Sequence, residues 1–284
     1  MSQATGLQPS HETLELFSNV TGAARRRLAL RDFREGLGLW RLFFTLGWLD
    51  IKLKYRGSVI GPFWLTLSTA VMVCALGFLY SHLFKMVLRD YLPYLALSII
   101  LWNFLSAIVG EACTSFLQAE SMIRSVRMPF SVHAARVVVR NVLTLLHNFV
   151  VIVAVFAIFA IVPRTSALLA IPAFGLWILD GFAACLLLGA FCARFRDVPP
   201  VVASVMQIAF FVSPIIWKPE LLGAGAKWLA FNPFFTMLEI VRGPLLGYVP
   251  GVNIWASAFG FSLLLCVGAW MLFARVRGRL AFWI

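Results

Sequence analysis

Six stretches of this chain, residues 59–84, 92–113, 137–162, 166–192, 201–217 and 252–273, are almost free of charge. Most are close to the ~20 residues that an α-helix needs to cross ~30 Å of hydrocarbon. That pattern leaves few alternatives. A backbone in lipid has to satisfy its own hydrogen bonds, so the stretches are read as helices packed side by side. Composition agrees, with 61% hydrophobic and 13% charged residues and a mean hydropathy of +0.90. No water-soluble fold buries that much apolar surface. The fold class is therefore an all-α integral membrane protein with six transmembrane helices.

Orientation follows from residues 49–64, LDIKLKYRGSVIGPFW. Lys52, Lys54 and Arg56 are costly to carry through hydrocarbon, so they stay on the cytoplasmic side while the apolar run behind them inserts. Ser58 is a candidate N-cap for the first span. Pro62 falls in its first turn, where a missing N–H costs no internal hydrogen bond. With six spans and both ends inside, eighteen of the 24 Lys and Arg residues lie in cytoplasmic segments and six outside, counting Arg140 at the inner mouth of the third span. A seventh span over 228–246 would put Arg275, Arg277 and Arg279 outside and break this asymmetry. The net charge of +12 is thus a feature of topology that points to phosphate-rich lipid, and nucleic acid is not a partner.

Residues 1–35 are too polar for a secretory signal peptide and are read as a cytoplasmic tail or short helix, with a basic cluster from Arg25 to Arg34. In residues 36–57, Arg41, Thr45, Lys52 and Arg56 form one polar stripe, as on a helix lying in the cytoplasmic interface. Asp50 and Lys54 sit off that stripe as an i, i+4 pair. Residues 114–130, TSFLQAESMIRSVRMPF, are too polar to span and too apolar for free coil. They read either as an ordinary amphipathic loop helix or as a surface offered to a cytoplasmic partner. Residues 221–231 and 234–246, broken at Asn232-Pro233, read as external re-entrant half-helices, a form tolerated at membrane depth only when buried in protein or lining a cavity. Residues 275–284 form a cytoplasmic tail.

Few residues carry chemistry. Asp180 lies mid-span, and His147 matches its depth to ~3 Å at 1.5 Å per residue, which suggests a hydrogen-bonded pair between the third and fourth spans. Glu111 is read as an anchor for the loop helix. The sequence has no Gly-rich phosphate loop with Lys and Ser or Thr, and its four histidines and five cysteines have no metal-ligand spacing. Asp90, Glu220 and Glu239 are too scattered along the chain to propose a catalytic pair. Aromatic residues make up 14% of the chain. Most fit an interfacial belt and ordinary packing. Tyr80, Phe84, Phe210, Phe211, Trp217 and Trp228 are candidates for a ring around a passing sugar chain, whose C–H faces aromatic rings accept.

The sequence DIKLKYRGS at 50–58 with GPFW at 61–64, RDV at 196–198, SPI at 213–215 and Asn232-Pro233 resembles the membrane subunit of ABC-2 type transporters, and within them the polysaccharide-export branch. The resemblance covers roughly residues 37–275. Met128-Pro129 stands where relatives often have Phe-Pro.

The resemblance implies a permease without catalytic residues of its own, in the bacterial inner membrane. Two copies would enclose the pathway, joined by two copies of a cytoplasmic ATPase that binds ATP and Mg. It makes the first internal loop a coupling helix docked on that ATPase, carried by Phe116, Leu117, Gln118, Glu120, Met122, Ile123, Arg124, Arg127 and Met128. It sets Arg41, Lys52, Lys54 and Arg56 at the depth of an undecaprenyl pyrophosphate head group. The implied cargo is a lipid-linked glycan such as O-antigen. Rival readings are export of a drug or lipid, a membrane enzyme acting on a lipid-linked sugar, and a non-transporting scaffold.

Overall fold

A computed structural model describes residues 22–57, 61 and 63–284. Ser58 and Pro62, the expected cap and first turn of the first span, lie outside the described residues, as do residues 1–21. Ten α-helices follow one another among the described residues, with no strand. They are α1 (Gly22–Gly38), α2 (Trp40–Lys54), α3 (Phe63–Leu83), α4 (Leu88–Thr114), α5 (Glu120–Ser125), α6 (Phe130–Ile158), α7 (Ala170–Arg194), α8 (Val198–Val212), α9 (Pro233–Leu246) and α10 (Val252–Trp283). Tight 3-10 turns at Thr165–Leu169 and Pro219–Phe231 precede α7 and α9.

Five helical segments are long and apolar enough to cross a membrane: α3, α4, α6, Thr165–Arg194 and α10. The expected fifth span is shorter. Its helix, α8, has 15 residues, a rise of ~22 Å, and ends where Ser213 to Trp217 leave helical geometry.

The bundle is organised around α4. Leu95, Ala96, Leu97 and Leu101 on this helix are fully buried, and α3, α6, α7, α8 and α9 all pack on it. At its periphery α3 buries only Thr69, Val73, Gly77 and Ser81, a stripe at spacing four, and leaves the rest of an apolar surface uncovered. Helices in lipid approach closely where small residues face each other. A Cβ on Gly181 of α7 would lie 2.2 Å from the end of the Ile108 side chain of α4, so a larger residue there would have to displace that isoleucine.

The N-terminal segment differs from the expected single interfacial helix over 36–57. It forms two helices, broken at Leu39, and the basic cluster Arg25 to Arg34 lies within the first. On α2, Phe43, Gly47 and Ile51 form a buried stripe in the interface with α6, while Arg41, Thr45, Trp48 and Lys52 are exposed. The third span begins at Phe130 rather than residue 137. Asp32 of α1 explains the earlier start: its buried carboxylate accepts from Phe130 N (3.2 Å) and Ser131 N (3.0 Å), satisfying two N–H groups that a helix start leaves free. The same carboxylate accepts from Arg277 Nε of α10 at 2.8 Å, tying three helices together. The last helix continues through Trp283, so the expected C-terminal tail is helical up to that residue.

The break at Asn232-Pro233 is built as the sequence suggests. The Asn232 side chain accepts from Phe234 N and Phe235 N, capping α9. Gly247, in the left-handed region at φ 95°, ends that helix.

Candidate functional site

Where the C-terminal parts of α2 and α4 meet the N-terminal part of α6, five polar side chains form one network. Arg136 of α6 grips Asp50 of α2 in a fork, with Nε 2.7 Å from Oδ2 and Nη2 on Oδ1. Arg140, one turn further on, bridges Asp50 (3.2 Å) and Glu111 of α4 (2.7 Å). Asn141 Nδ2 donates to the same Glu111 oxygen at 2.6 Å. Asp50 therefore pairs with two arginines of α6 and not with Lys54, and Glu111 holds α6 and not the loop helix. Bidentate guanidinium–carboxylate pairs fix geometry as well as charge. Arg136 also reaches Met122 Sδ at 3.9 Å, which extends the network to α5.

Between α4 and α6 the chain turns through α5. Phe116 is fully buried, its ring 5.7 Å edge-on to Phe130 and seated where a Cβ on Gly189 would collide with it. Phe116 therefore anchors the turn inside the bundle and offers nothing to a partner, contrary to the expectation that it belongs to a docking surface. Leu117, Glu120, Met122, Ile123 and Met128 are half-buried, while Gln118, Arg124 and Arg127 are exposed, together with Val126, a residue the sequence did not single out. Glu120 and Arg124 form an i, i+4 ion pair at 2.9 Å, and Arg124 donates to the backbone oxygen of Ile284 at 2.9 Å. The end of α10 thus rests against α5.

Arg41, Lys52, Lys54 and Arg56 are all exposed on α2 and the turn after it. Arg41 lies 5.3 Å from the Trp40 ring and Lys54 6.0 Å from the Tyr55 ring. Lys54 and Tyr55 also border a cavity of about 360 Å³ between α2, α3, α4 and α6.

At the opposite end of the bundle, Arg242 of α9 is fully buried. It donates to Glu239 (Nε, 3.1 Å), Ser98 (2.8 Å) and the Pro214 carbonyl (2.7 Å), and lies 4.3 Å from the Tyr94 ring. Tyr94 and Tyr91 of α4 donate to the carbonyls of Pro214, Trp217 and Ile216. The non-helical backbone after α8 is thereby satisfied from inside the protein. Tyr248 donates to Glu239, and burial together with that carboxylate pushes its phenol pKa up. Asp90, Glu220 and Glu239, scattered along the sequence, all line one cavity of about 600 Å³ at this end.

The six candidate aromatics fall into three groups. Tyr80 and Phe84 stack at 5.6 Å. Phe210 packs against Trp102 and Phe211, and Trp217 donates to the Phe211 carbonyl. Trp228, 69% exposed, contacts Phe231 instead. The expected His147–Asp180 pair is not made. Ser262 of α10 donates to Asp180 at 2.7 Å, while His147 Nδ1 bonds the Leu143 carbonyl of its own helix. Arg136, Arg140 and Asp32 are the residues that the sequence reading missed. Charges near the mouth of a span read as topology signals, and the ionic partners of these three lie 29 to 245 residues away.

A helical bundle with five membrane-length spans, a charged collar at one end and a short helix held between two spans defines a multi-pass membrane protein. The family profile of the ABC-2 type transporter matches residues 41–246. The chain belongs to that family, whose members of this kind are transport subunits of the inner membrane. It is similar to two O-antigen export system permease proteins RfbA of Klebsiella pneumoniae. One is 19% identical, covering 82% of this chain and 90% of the relative, and the other is 23% identical over 70% and 79%. It is also similar to an O-antigen export system permease protein RfbA of Myxococcus xanthus, at 24% identity over 74% and 82%.

Proposed function

We propose that this chain is the permease subunit of an ATP-driven exporter that moves an undecaprenyl pyrophosphate-linked polysaccharide, such as O-antigen, across the inner membrane. The observation that carries the reading is the similarity to three O-antigen export permeases, each matched over most of its length. Two copies of the chain enclose the pathway. Two copies of a cytoplasmic ATPase bind ATP and Mg and supply the energy. The exposed face of residues 117–128 docks on the ATPase, and the network through Met122, Arg136 and Asp50 transmits its movement to α2, α4 and α6.

In this account α8 and the segment to Trp217 form the fifth of six spans. Both termini are cytoplasmic, and the half-helices before and within α9 re-enter from the outside as a gate. The hydrogen bonds from Tyr91, Tyr94 and Arg242 to that segment support such an arrangement, since non-helical backbone at membrane depth has to be satisfied by protein. Arg41, Lys52, Lys54 and Arg56 attract the pyrophosphate at the inner surface.

Deleting the chain from its host while leaving the ATPase intact tests the cargo. Surface O-antigen should disappear while undecaprenyl-linked glycan accumulates inside the cell, read by gel profile of the surface lipopolysaccharide and by mass spectrometry of extracted lipid. Unchanged surface glycan would overturn the assignment.

A further inference from the structure

The cavity between α2, α3, α4 and α6 has a lining unusual for the inside of a membrane bundle. Its walls carry Asn103, Ser106, Thr144 and Asn148, neutral groups that both donate and accept hydrogen bonds. The Oδ1 atom of Asn148, a residue only 6% exposed, has no hydrogen-bond partner. Asn148 lines the cavity, but that oxygen is turned away from its open space, so rotation of the side-chain amide brings it to a bound donor and recovers the cost of burying it unpaired. Phe104, stacked on Trp177, also lines the cavity. Where α2 and the turn after it border the cavity the character is the opposite, with an exposed Lys54 beside Tyr55. Next in sequence to the lining residues Lys54 and Leu65, Leu53 of α2 and Phe63 and Trp64 of α3 expose apolar side chains. A ligand with neutral hydroxyl and amide groups at one end, an anionic phosphate next to them and a hydrocarbon tail beyond would satisfy all three zones at once. At about 360 Å³, the cavity sits at the small end of the ~300–1,000 Å³ range of ligand pockets, which suits one sugar ring and not a chain.

We infer that this cavity is a recognition site for the phosphate-linked first sugar of the lipid-bound glycan, with Asn148 and Asn103 reading the ring and Lys54 holding the phosphate. This rests on the proposed function and adds to it where the reducing end is selected. Glu111 and Arg140 also line the cavity, but they neutralise each other, so the ring-binding part carries no net charge from this pair.

The test compares two probes on the purified permease in nanodiscs: undecaprenyl pyrophosphate carrying a single N-acetylhexosamine, and undecaprenyl pyrophosphate alone. The wild type should bind the sugar-bearing lipid about tenfold or more tightly, as one or two additional hydrogen bonds would give. Asn148→Leu should abolish that preference while keeping the affinity for the sugar-free lipid, and its melting temperature should hold or rise because a partnerless polar atom is removed. Thr144→Val, a milder change in the same wall, should reduce the preference. Lys54→Gln should weaken both lipids alike. Equal binding of the two lipids by the wild type, or a preference retained by Asn148→Leu, would overturn the inference and leave the proposed function standing. Binding of neither lipid would overturn the proposed function, and the inference with it.

Discussion

Replacing Arg242 with methionine should destabilise the protein by about 3–5 kcal/mol, the range found when one partner of a buried ion pair is removed. The arginine is fully enclosed, and its loss strands the Glu239 carboxylate in the protein interior. It also deprives Ser98 Oγ of its donor and leaves the Pro214 carbonyl with Tyr94 alone. The second change that matters is at the stranded partner. Glu239→Gln on top of Arg242→Met removes the uncompensated charge while its amide oxygen still accepts from Tyr248, so the double variant should recover at least half of the loss. Thermal unfolding in detergent of the wild type, the single variant and the double variant checks this. A single variant as stable as the wild type would mean that the outer segment is not held by Arg242.

Asp50→Ala should have a comparable effect at the opposite end. Asp50 is the carboxylate shared by Arg136 and Arg140, and its side chain is only 11% exposed. Without it two guanidinium groups face each other across one turn of α6 with Glu111 alone to neutralise them. The expected cost is about 3 kcal/mol, as for breaking other buried charge pairs. The damage should also be localised. The helix α2 loses its polar tie to α6 and keeps only the Phe43, Gly47 and Ile51 stripe. Hydrogen exchange should therefore rise first in residues 40–54, well before the spans α4 and α7. Uniform exchange across the chain would contradict the assignment of Asp50 as the tie between α2 and the bundle.

These two networks also mark what one sequence can and cannot disclose. The apolar runs give spans because length and hydropathy are properties of a segment by itself. The Asn232-Pro233 break was legible for the same reason, since a cap acts on the next two residues. Asp32 and Arg277 are separated by 245 positions, and nothing local marks them as partners. The pairing expected for His147 and Asp180 failed on direction: residue counting fixes depth in the membrane but not which neighbour a side chain faces, and Asp180 turns to Ser262 on α10. Phe116 failed similarly. Its position on an amphipathic segment suggested a contact surface, but the turn of residues 115–119 points the ring back into α7 at Gly189. Asp50 was recognised as lying off the polar stripe of its helix. Its partners were missed because Arg136 and Arg140 look, in sequence, like ordinary charges at the cytoplasmic edge of a span.

The central claim is that residues 117–128 receive work from a separate ATPase, and the most direct measurement is vanadate-sensitive ATP hydrolysis by the chain co-expressed and co-purified with its ATPase. The wild type is compared with the doubly charge-reversed Glu120→Lys/Arg124→Glu, which retains the possibility of an i, i+4 pair and so preserves the helix while reversing what it presents. The account predicts a stable wild-type complex whose hydrolysis falls at least tenfold in the variant, with the permease still folded. Hydrolysis unchanged in the variant, or no complex between two folded proteins, would contradict it.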